Sequence, residues 1–218
     1  MTNLYAIYGT GGCARSALPL FKSMNLTSED KIFFIDDNID NVGKLCDGVK
    51  VIDFKSYLNM PSKKKFINIA IANVKIRKKI SHKLHELNKT TFFSIISDKS
   101  LNLSNIKIGE GSLISPFTTL TTNIIIGKSF NLNLYSYVEH DCIIGDYVTF
   151  SPGVKCNGHV FVEDNVFVGS GAIIVNGSKN NPIIIGENSI IGAGAVVSKN
   201  IPKNSTLVPI PSKRIPHI

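Results

Sequence analysis

The sequence predicts two units in series, an α/β unit and then an all-β unit that is a parallel coil of short strands (class α/β + β). Two observations carry this. Strand-like and helix-like stretches alternate through the first third of the chain, and from Ile108 onward an apolar residue recurs every six positions. A third observation, a glycine-rich turn directly after the first strand, places a candidate binding site. The division falls at a polar stretch, residues 97–105, which gives domains of 1–97 and 98–218.

Residues 3–8 (NLYAIY) read as the first strand, and the run Gly9-Thr10-Gly11-Gly12-Cys13-Ala14 opens a helix reaching residue 24. Residues 31–35 (KIFFI) make a second strand ending in Asp36-Asp37, and residues 49–52 a short third. Residues 65–72 form a further strand, a Lys-rich helix runs over 73–87, and a last strand covers 91–95. Strands alternating with helices give a small parallel sheet. A glycine turn between the first strand and helix presents backbone N–H groups and the positive end of the helix dipole to a phosphate. An acidic residue about 25 positions on suits a ribose or base contact, here Asp36 or Asp37. The unit therefore reads as Rossmann-like and as a pocket for a nucleotide sugar. Gly9, Gly11, Gly12, Asp36, Asp37 and Asn73 are its candidate residues. It is too short to hold both halves of a dinucleotide redox fold.

The step of six runs through Ile108, Ile114, Leu120, Ile126, Leu132, Val138, Ile144, Phe150, Cys156, Val162, Val168 and Ile174. It breaks once, over residues 175–184, and resumes at Ile185, Ile191 and Val197. A period of six fits neither a helix nor a single alternating strand. It fits a solenoid in which each repeat supplies one short strand and one corner, three repeats closing a triangular coil of eighteen residues. About five such coils stack at roughly 4.8 Å each. One residue per face points inward and lies on the residue eighteen positions later. Gly109, Gly127, Gly145, Gly169, Gly186 and Gly192 each follow a step residue, where the corner is expected to turn tightly.

Composition sets the remaining bounds. The formal charge is +8, which suits anionic partners such as phosphorylated metabolites and coenzymes. There is no Trp, and basic residues are not interleaved with aromatic ones, so a nucleic-acid stacking platform is not expected. The lysines of residues 63–65 and 75–79 read as solvated helix faces. Cys13, Cys46, Cys142 and Cys156 form no CxxC pair, and the last two sit on inward phases of the repeat. Neither a secretory signal nor an apolar run of membrane-spanning length is expected, so the chain reads as cytoplasmic, with no membrane partner.

The coil contains two histidines, His140 and His159. His140 stands two positions after the inward Val138 and therefore points outward. An outward imidazole beside a carboxylate has what a general base needs, and Asp141 or Glu139 supplies that carboxylate. Eighteen residues past His140 is Gly158, so the two stack on adjacent coils. A bare peptide N–H at Gly158 could face a developing oxyanion. Lys155, Asn157 and Gly158 form a second candidate stretch. Residues 176–182, including Gly177, leave the prism as the wall of a coenzyme groove. Lys213 and Arg214 near the end of the chain are candidates to meet coenzyme phosphates.

The stretches IYGTGG, FIDD, NIAIANVKIR, ISPFTTLTTN, YSYVEHDCIIGDYVTFSPGVKCNG and IIGAGAVV resemble those of the bacterial sugar-nucleotide acetyltransferases, over nearly the whole chain. That group includes bacillosamine-pathway and perosamine N-acetyltransferases and sialic acid O-acetyltransferases. The resemblance is strongest to its perosamine branch. It implies a left-handed coil, a homotrimer, coenzyme A between neighbouring prisms and the nucleotide in the α/β unit. It also implies acetyl-CoA as co-substrate, no tightly bound cofactor and no metal. By position, His140 matches the family base, Gly158 the oxyanion donor, and Gly11, Gly12 and Asp36 the nucleotide site. Two departures stand out. Thr149 occupies the place of a second histidine in the bacillosamine enzyme, and Ala14 and Arg15 replace more usual glycine-loop residues.

The implied reaction is acetyl transfer to the 4-amino group of a nucleotide-linked 4-amino-4,6-dideoxy sugar, as in O-antigen synthesis. GDP-perosamine is favoured and dTDP-4-amino-4,6-dideoxyglucose is next. Alternatives are a sialic-acid-type O-acetyltransferase and a non-catalytic scaffold. A γ-type carbonic anhydrase needs three zinc-binding histidines, one more than the coil contains.

Overall fold

In a computed structural model describing residues 2–24, 27 and 29–209, the first third of the chain is a six-stranded sheet with helices packed on it. Its elements are β1 (Leu4–Tyr8), α1 (Gly12–Lys22), β2 (Lys31–Ile35), β3 (Leu45–Cys46), β4 (Val49–Ile52), α2 (Phe54–Asn59), β5 (Lys65–Ile69), α3 (Val74–Leu87) and β6 (Thr91–Phe92). The strand order is β3-β4-β2-β1-β5-β6, parallel throughout except for the β3–β4 pair. The order reverses at β1, whose neighbours are β2 and β5. The loops leaving the C-terminal ends of β1 and β5 therefore part and open a crevice, the usual place for a ligand in such sheets. β1 is apolar on both faces, with Ala6 and Ile7 fully buried. Such a strand belongs at the centre of a sheet covered on both sides.

The rest of the chain is a three-sided prism of two- and three-residue strands. One face pairs Thr119–Leu120, Tyr137–Val138, Lys155–Cys156, Ile173–Ile174 and Val196–Val197 in turn. A second pairs Ile125–Ile126, Ile143–Ile144, Phe161–Val162 and Ile184–Ile185. The third runs from Ile95–Ile96 through Leu113–Ile114, Asn131–Leu132, Thr149–Phe150, Phe167–Val168 and Ile190–Ile191 to Thr206–Leu207. The step residues read from the sequence stack in one core with Val148, Val154, Val160 and Val166 from the positions two before them. The break sits where expected: Val162 pairs with Ile185, and the extra residues make a tight turn closed by Ser178 and Asn181.

Several expectations are corrected. The coil begins earlier than residue 98, because Ile95–Ile96 already pairs with Leu113–Ile114. The last strand expected over residues 91–95 is therefore two pieces, β6 in the sheet and Ile95–Ile96 in the coil. The polar stretch is no simple junction, since Leu101–Ile108 is an eight-residue strand paired with Thr119–Ile126. It forms the open end of the stack, most of its residues are exposed, and the apolar period stops inside it because the step position before Ile108 is Asn102.

The glycines after step residues do not serve left-handed turns. Left-handed corners fall three positions after step residues, at Phe117, Asn123, Ser129, Tyr135, Asp141, Tyr147, His159 and Asn165. Gly109 is required by close approach instead, since a β-carbon there would stand 2.5 Å from the carbonyl carbon of Gly127 on the next coil.

Residues 75–79 are not all a solvated face either. Arg77 is fully buried and joins the two units. Its Nη1 donates to the carbonyl of Ile71 at 2.7 Å, and its Nη2 to the carbonyl of Tyr147 and the hydroxyl of Thr149, both at 2.8 Å. Burial lowers its pKa to about 10, so it stays charged at neutral pH. The α/β unit thus sits on the third face of the prism, where the outward Leu113, Asn131 and Thr149 are buried beneath it.

Candidate active site

The edge between the first two faces carries two side-by-side ladders with the eighteen-residue period. One is Ser104, Thr122, His140, Gly158 and Asn176. The other is Asn105, Asn123, Asp141 and His159. Ser104 and Thr122 hydroxyls meet at 2.7 Å, and Asn105 Nδ2 donates to Asn123 Oδ1 at 2.7 Å. Further along, the rungs become functional groups.

His140 is half-exposed and points away from the core. Asp141 takes a left-handed backbone (φ 58°), which turns its carboxylate back onto the preceding ring. His140 Nδ1 lies 2.8 Å from Asp141 Oδ2. A carboxylate accepts the Nδ1 proton, so the lone pair is left on Nε2, the arrangement of a general base. Asp141 Oδ1 accepts from Asn123 Nδ2 at 3.2 Å. The hydrogen bonds from His140 and then Asn123 hold this carboxyl below its ordinary range. Of the two acidic residues left open by the sequence, Asp141 orients the ring.

Gly158 lies under the imidazole: a β-carbon there would stand 2.5 Å from His140 Nε2. The stacking expected from the sequence is present. The free amide is not, because Gly158 N–H donates to Asn176 Oδ1 at 2.7 Å.

His159 and Asn123, each one coil from Asp141, also meet the base's carboxylate, and only their eighteen-residue spacing marks them in the sequence. His159 Nε2 is 3.8 Å from Asp141 Oδ2. Its ring stands edge-on to that of His140, centroids 5.2 Å apart. His140, Asp141 and His159 each offer one ligand atom, all within 4.8 Å of one another, a spacing that a divalent transition metal could use.

The other expected residues scatter. Asn157 Oδ1 accepts from the Tyr137 hydroxyl at 2.8 Å, and Lys155 is exposed on the first face. Gly177 N–H donates to the Gly158 carbonyl at 2.9 Å, and a β-carbon on Gly177 would collide with the carbonyl of His159. Lys213 and Arg214 lie outside the described residues.

In the α/β unit, Gly11 is the N-cap of α1, Gly12 is its first residue, and Gly9 has φ 110°. No side chain caps that helix, so its first N–H groups are free for an anion. The Asp36 carboxylate accepts from the Thr10 hydroxyl, from Asn38 N–H at 2.9 Å and from Asn41 Nδ2 at 2.9 Å. Burial works to raise this carboxyl, and those donors outweigh it and hold it below its ordinary value. Asp36 therefore braces the loop rather than offering an unengaged carboxylate. Asp37 accepts from the Tyr8 hydroxyl at 2.7 Å.

Thr10, Arg15, Asn41, Lys44 and Cys46 line a cleft of about 350 Å³ beside this turn. Gly12, Ser16 and Ala72 face Asn133, Ser151 and Phe167 of the prism across a second cleft of about 430 Å³. Asn73 caps α3 through Oδ1, accepting from Ile76 N–H at 3.1 Å, and borders a third cleft of about 470 Å³ with Lys75, Lys78 and Phe167.

Comparison with known proteins decides the family. The chain is 44% identical over 188 residues to GDP-perosamine N-acetyltransferase of Escherichia coli O157:H7, covering 84% of this chain and 83% of that protein. It belongs to that acyltransferase family. Residues 5–84 also match the PglD N-terminal domain. WeeI from Acinetobacter baumannii AYE superposes with a TM-score of 0.88 at 40% identity, over 94% of this chain and 95% of that one. The acetyltransferase domain of PglB from Neisseria gonorrhoeae FA1090, in complex with acetyl coenzyme A, gives 0.81 at 25% identity, over 93% and 94%. For a member of this family, an oriented imidazole at the prism edge and an uncapped helix terminus in the α/β unit are the two features to be joined in one reaction.

Proposed function

We propose that this acyltransferase moves the acetyl group of acetyl-CoA to the 4-amino group of a nucleotide-linked 4-amino-4,6-dideoxy sugar, GDP-perosamine first. The observation that carries the chemistry is His140, its Nδ1 held by Asp141 and its Nε2 left as acceptor. The choice of sugar follows the E. coli relative. His140 Nε2 takes the proton of the attacking amine, and Asp141 steadies the imidazolium that forms. Holding amine and thioester in line supplies much of the remaining rate.

The uncapped N-terminus of α1, with Arg15 and Lys44 beside it, is proposed to take the diphosphate, in a Rossmann-like unit. Acetyl-CoA is the co-substrate. It is proposed to run along the prism edge past Lys155, Asn157 and the turn at Gly177, between neighbouring subunits of a left-handed, hexapeptide-repeat homotrimer.

Two facts support the trimer. The α/β unit covers the third face, whereas His140 lies on the opposite edge, so a sugar held by one chain fits the base of another. The first two faces also expose Val196, Ile125 and Ile143, which a neighbour would bury. The product would be an N-acetylated sugar for O-antigen or a related surface glycan, made in the cytoplasm where acetyl-CoA is found. Among the described residues no helix is long and apolar enough to cross a membrane.

A free-CoA release assay over a panel of nucleotide-linked sugars tests this reading. GDP-perosamine should be turned over best. Release with hydroxyl acceptors alone, or with none of the panel, overturns it.

A further inference from the structure

Three side chains converge at the prism edge, and acetyl transfer as derived above uses only two of them. His140 Nδ1 and Asp141 Oδ2 are 2.8 Å apart, and His159 Nε2 is 3.8 Å from the same oxygen. Two imidazoles thus address one carboxylate oxygen, their rings at 89° to each other. All three ligand atoms lie within 4.8 Å of one another. Asp141 Oδ1 is taken by Asn123 Nδ2 at 3.2 Å, which leaves Oδ2 for the two rings. The backbone of His159 is pinned on both sides: its N–H donates to the His140 carbonyl at 3.0 Å, and its carbonyl accepts from Ile183 N–H at 3.1 Å. All three side chains are partly exposed, so the group opens to solvent.

In the acid–base step Asp141 Oδ2 holds a proton on His140 Nδ1. A metal cation would compete with that proton for the same place, between Nδ1 and Oδ2. Two imidazole nitrogens and one carboxylate oxygen, with the remaining position left to water, form a donor set that suits Zn²⁺ and its transition-metal neighbours, whereas Mg²⁺ and Ca²⁺ favour oxygen alone. The Asn123 amide on the second carboxylate oxygen is the kind of outer-shell bond that orients a ligating carboxylate.

We propose that His140 Nδ1, Asp141 Oδ2 and His159 Nε2 form a reversible, inhibitory site for a divalent transition-metal ion of the zinc type. The ion is no cofactor, because it disables the base. A neutral imidazole has one N–H and one lone pair for its two nitrogens. Once Nδ1 gives its lone pair to the metal, the ring proton sits on Nε2, and the nitrogen that should accept the amine proton has no lone pair left. The proton moves from Nδ1 to Nε2 through water, so the ring neither gains nor loses one. Binding of the ion follows from the three ligand atoms alone, whereas the inhibition rests on the acetyl-transfer reading.

Equilibrium dialysis and visible spectroscopy with Co²⁺, a coloured substitute for Zn²⁺, test the site. Acetyl-CoA consumption, followed by chromatography with whichever sugar the unaltered enzyme turns over, tests the inhibition. Cys13 and Cys46 are the partly exposed thiols that would compete, and binding there would show as a thiolate-to-metal charge-transfer band. One Co²⁺ per chain without that band is expected, with inhibition by Co²⁺ and Zn²⁺ that a chelator reverses and none by Mg²⁺. His159→Asn tolerates the left-handed backbone of that position (φ 54°) but is too short to reach the ion. It should bind Co²⁺ at least about tenfold more weakly, and its rate, relative to its own metal-free rate, should need correspondingly more ion to fall by half. Asn123→Ala keeps all three ligands, loses only the outer-shell bond, and should weaken binding by about tenfold as well. No binding, a thiolate band, or undiminished binding in His159→Asn overturns the site and leaves acetyl transfer standing. An ion bound at the three residues with the rate unchanged overturns the inhibition and counts against His140 as the base.

Discussion

The imidazole of His140 lies against the α-carbon of Gly158, with room for hydrogen only: an added β-carbon would stand 2.5 Å from both Cε1 and Nε2. Gly158 is not among the left-handed residues, so alanine costs the backbone little there. What must move is the ring. Gly158→Ala should therefore leave the fold intact and push the imidazole off Asp141. A fall in kcat/KM of roughly tenfold to a hundredfold, with a melting temperature near that of the parent, is the expected result. A parent-like rate would mean that the ring position does not matter.

His140→Asn removes the proton acceptor while keeping a polar side chain of similar reach. kcat/KM should drop at least about a hundredfold. Circular dichroism and oligomer mass should not change, since the side chain is half-exposed and no core contact depends on it.

Asp141 allows a titration test. Its carboxyl is held below its ordinary value of 3.8, first by His140 and then by Asn123. A carboxyl whose folded pKa is depressed stabilises the native state above its unfolded pKa, and that contribution is lost as pH falls through the folded pKa. Carbon NMR of the Asp141 carboxyl should show a midpoint below 3.8, and Asn123→Ala should move it upward. A midpoint at or above 3.8 in the parent would contradict the hydrogen-bonded pair.

Arg77 is the bolt between the units. Arg77→Ala leaves the carbonyls of Ile71 and Tyr147 and the Thr149 hydroxyl without their donor in a buried space. A loss of about 3 kcal/mol is expected, seen as a drop in melting temperature of roughly 10 °C. Differential scanning calorimetry measures it, and the appearance of two transitions would show the units melting apart.

The step of six in the sequence was enough to determine the prism, the stacking of Gly158 beneath His140 and the break at residues 175–184. A narrow interior tolerates only apolar side chains at a strict period, and that period is written along the chain. The alternation of strands and helices likewise marked out the parallel sheet, through the buried residues of its central strand.

Other features escaped because they depend on contacts that carry no periodic signal. Leu101–Ile108 is a strand at the open end of the stack, mostly exposed, and Asn102 stands at the step position before Ile108. Arg77 looked like one more cation in a basic run, and only the docking of α3 on the prism buries it. That Asp141 rather than Glu139 holds the ring follows from a left-handed corner. That Gly158 N–H is already spent on Asn176 follows from the turn in which that coil leaves the prism. Inward packing repeats and can be counted, whereas the direction of an outward side chain is set by whichever neighbour reaches it, and only the folded chain decides which neighbour that is.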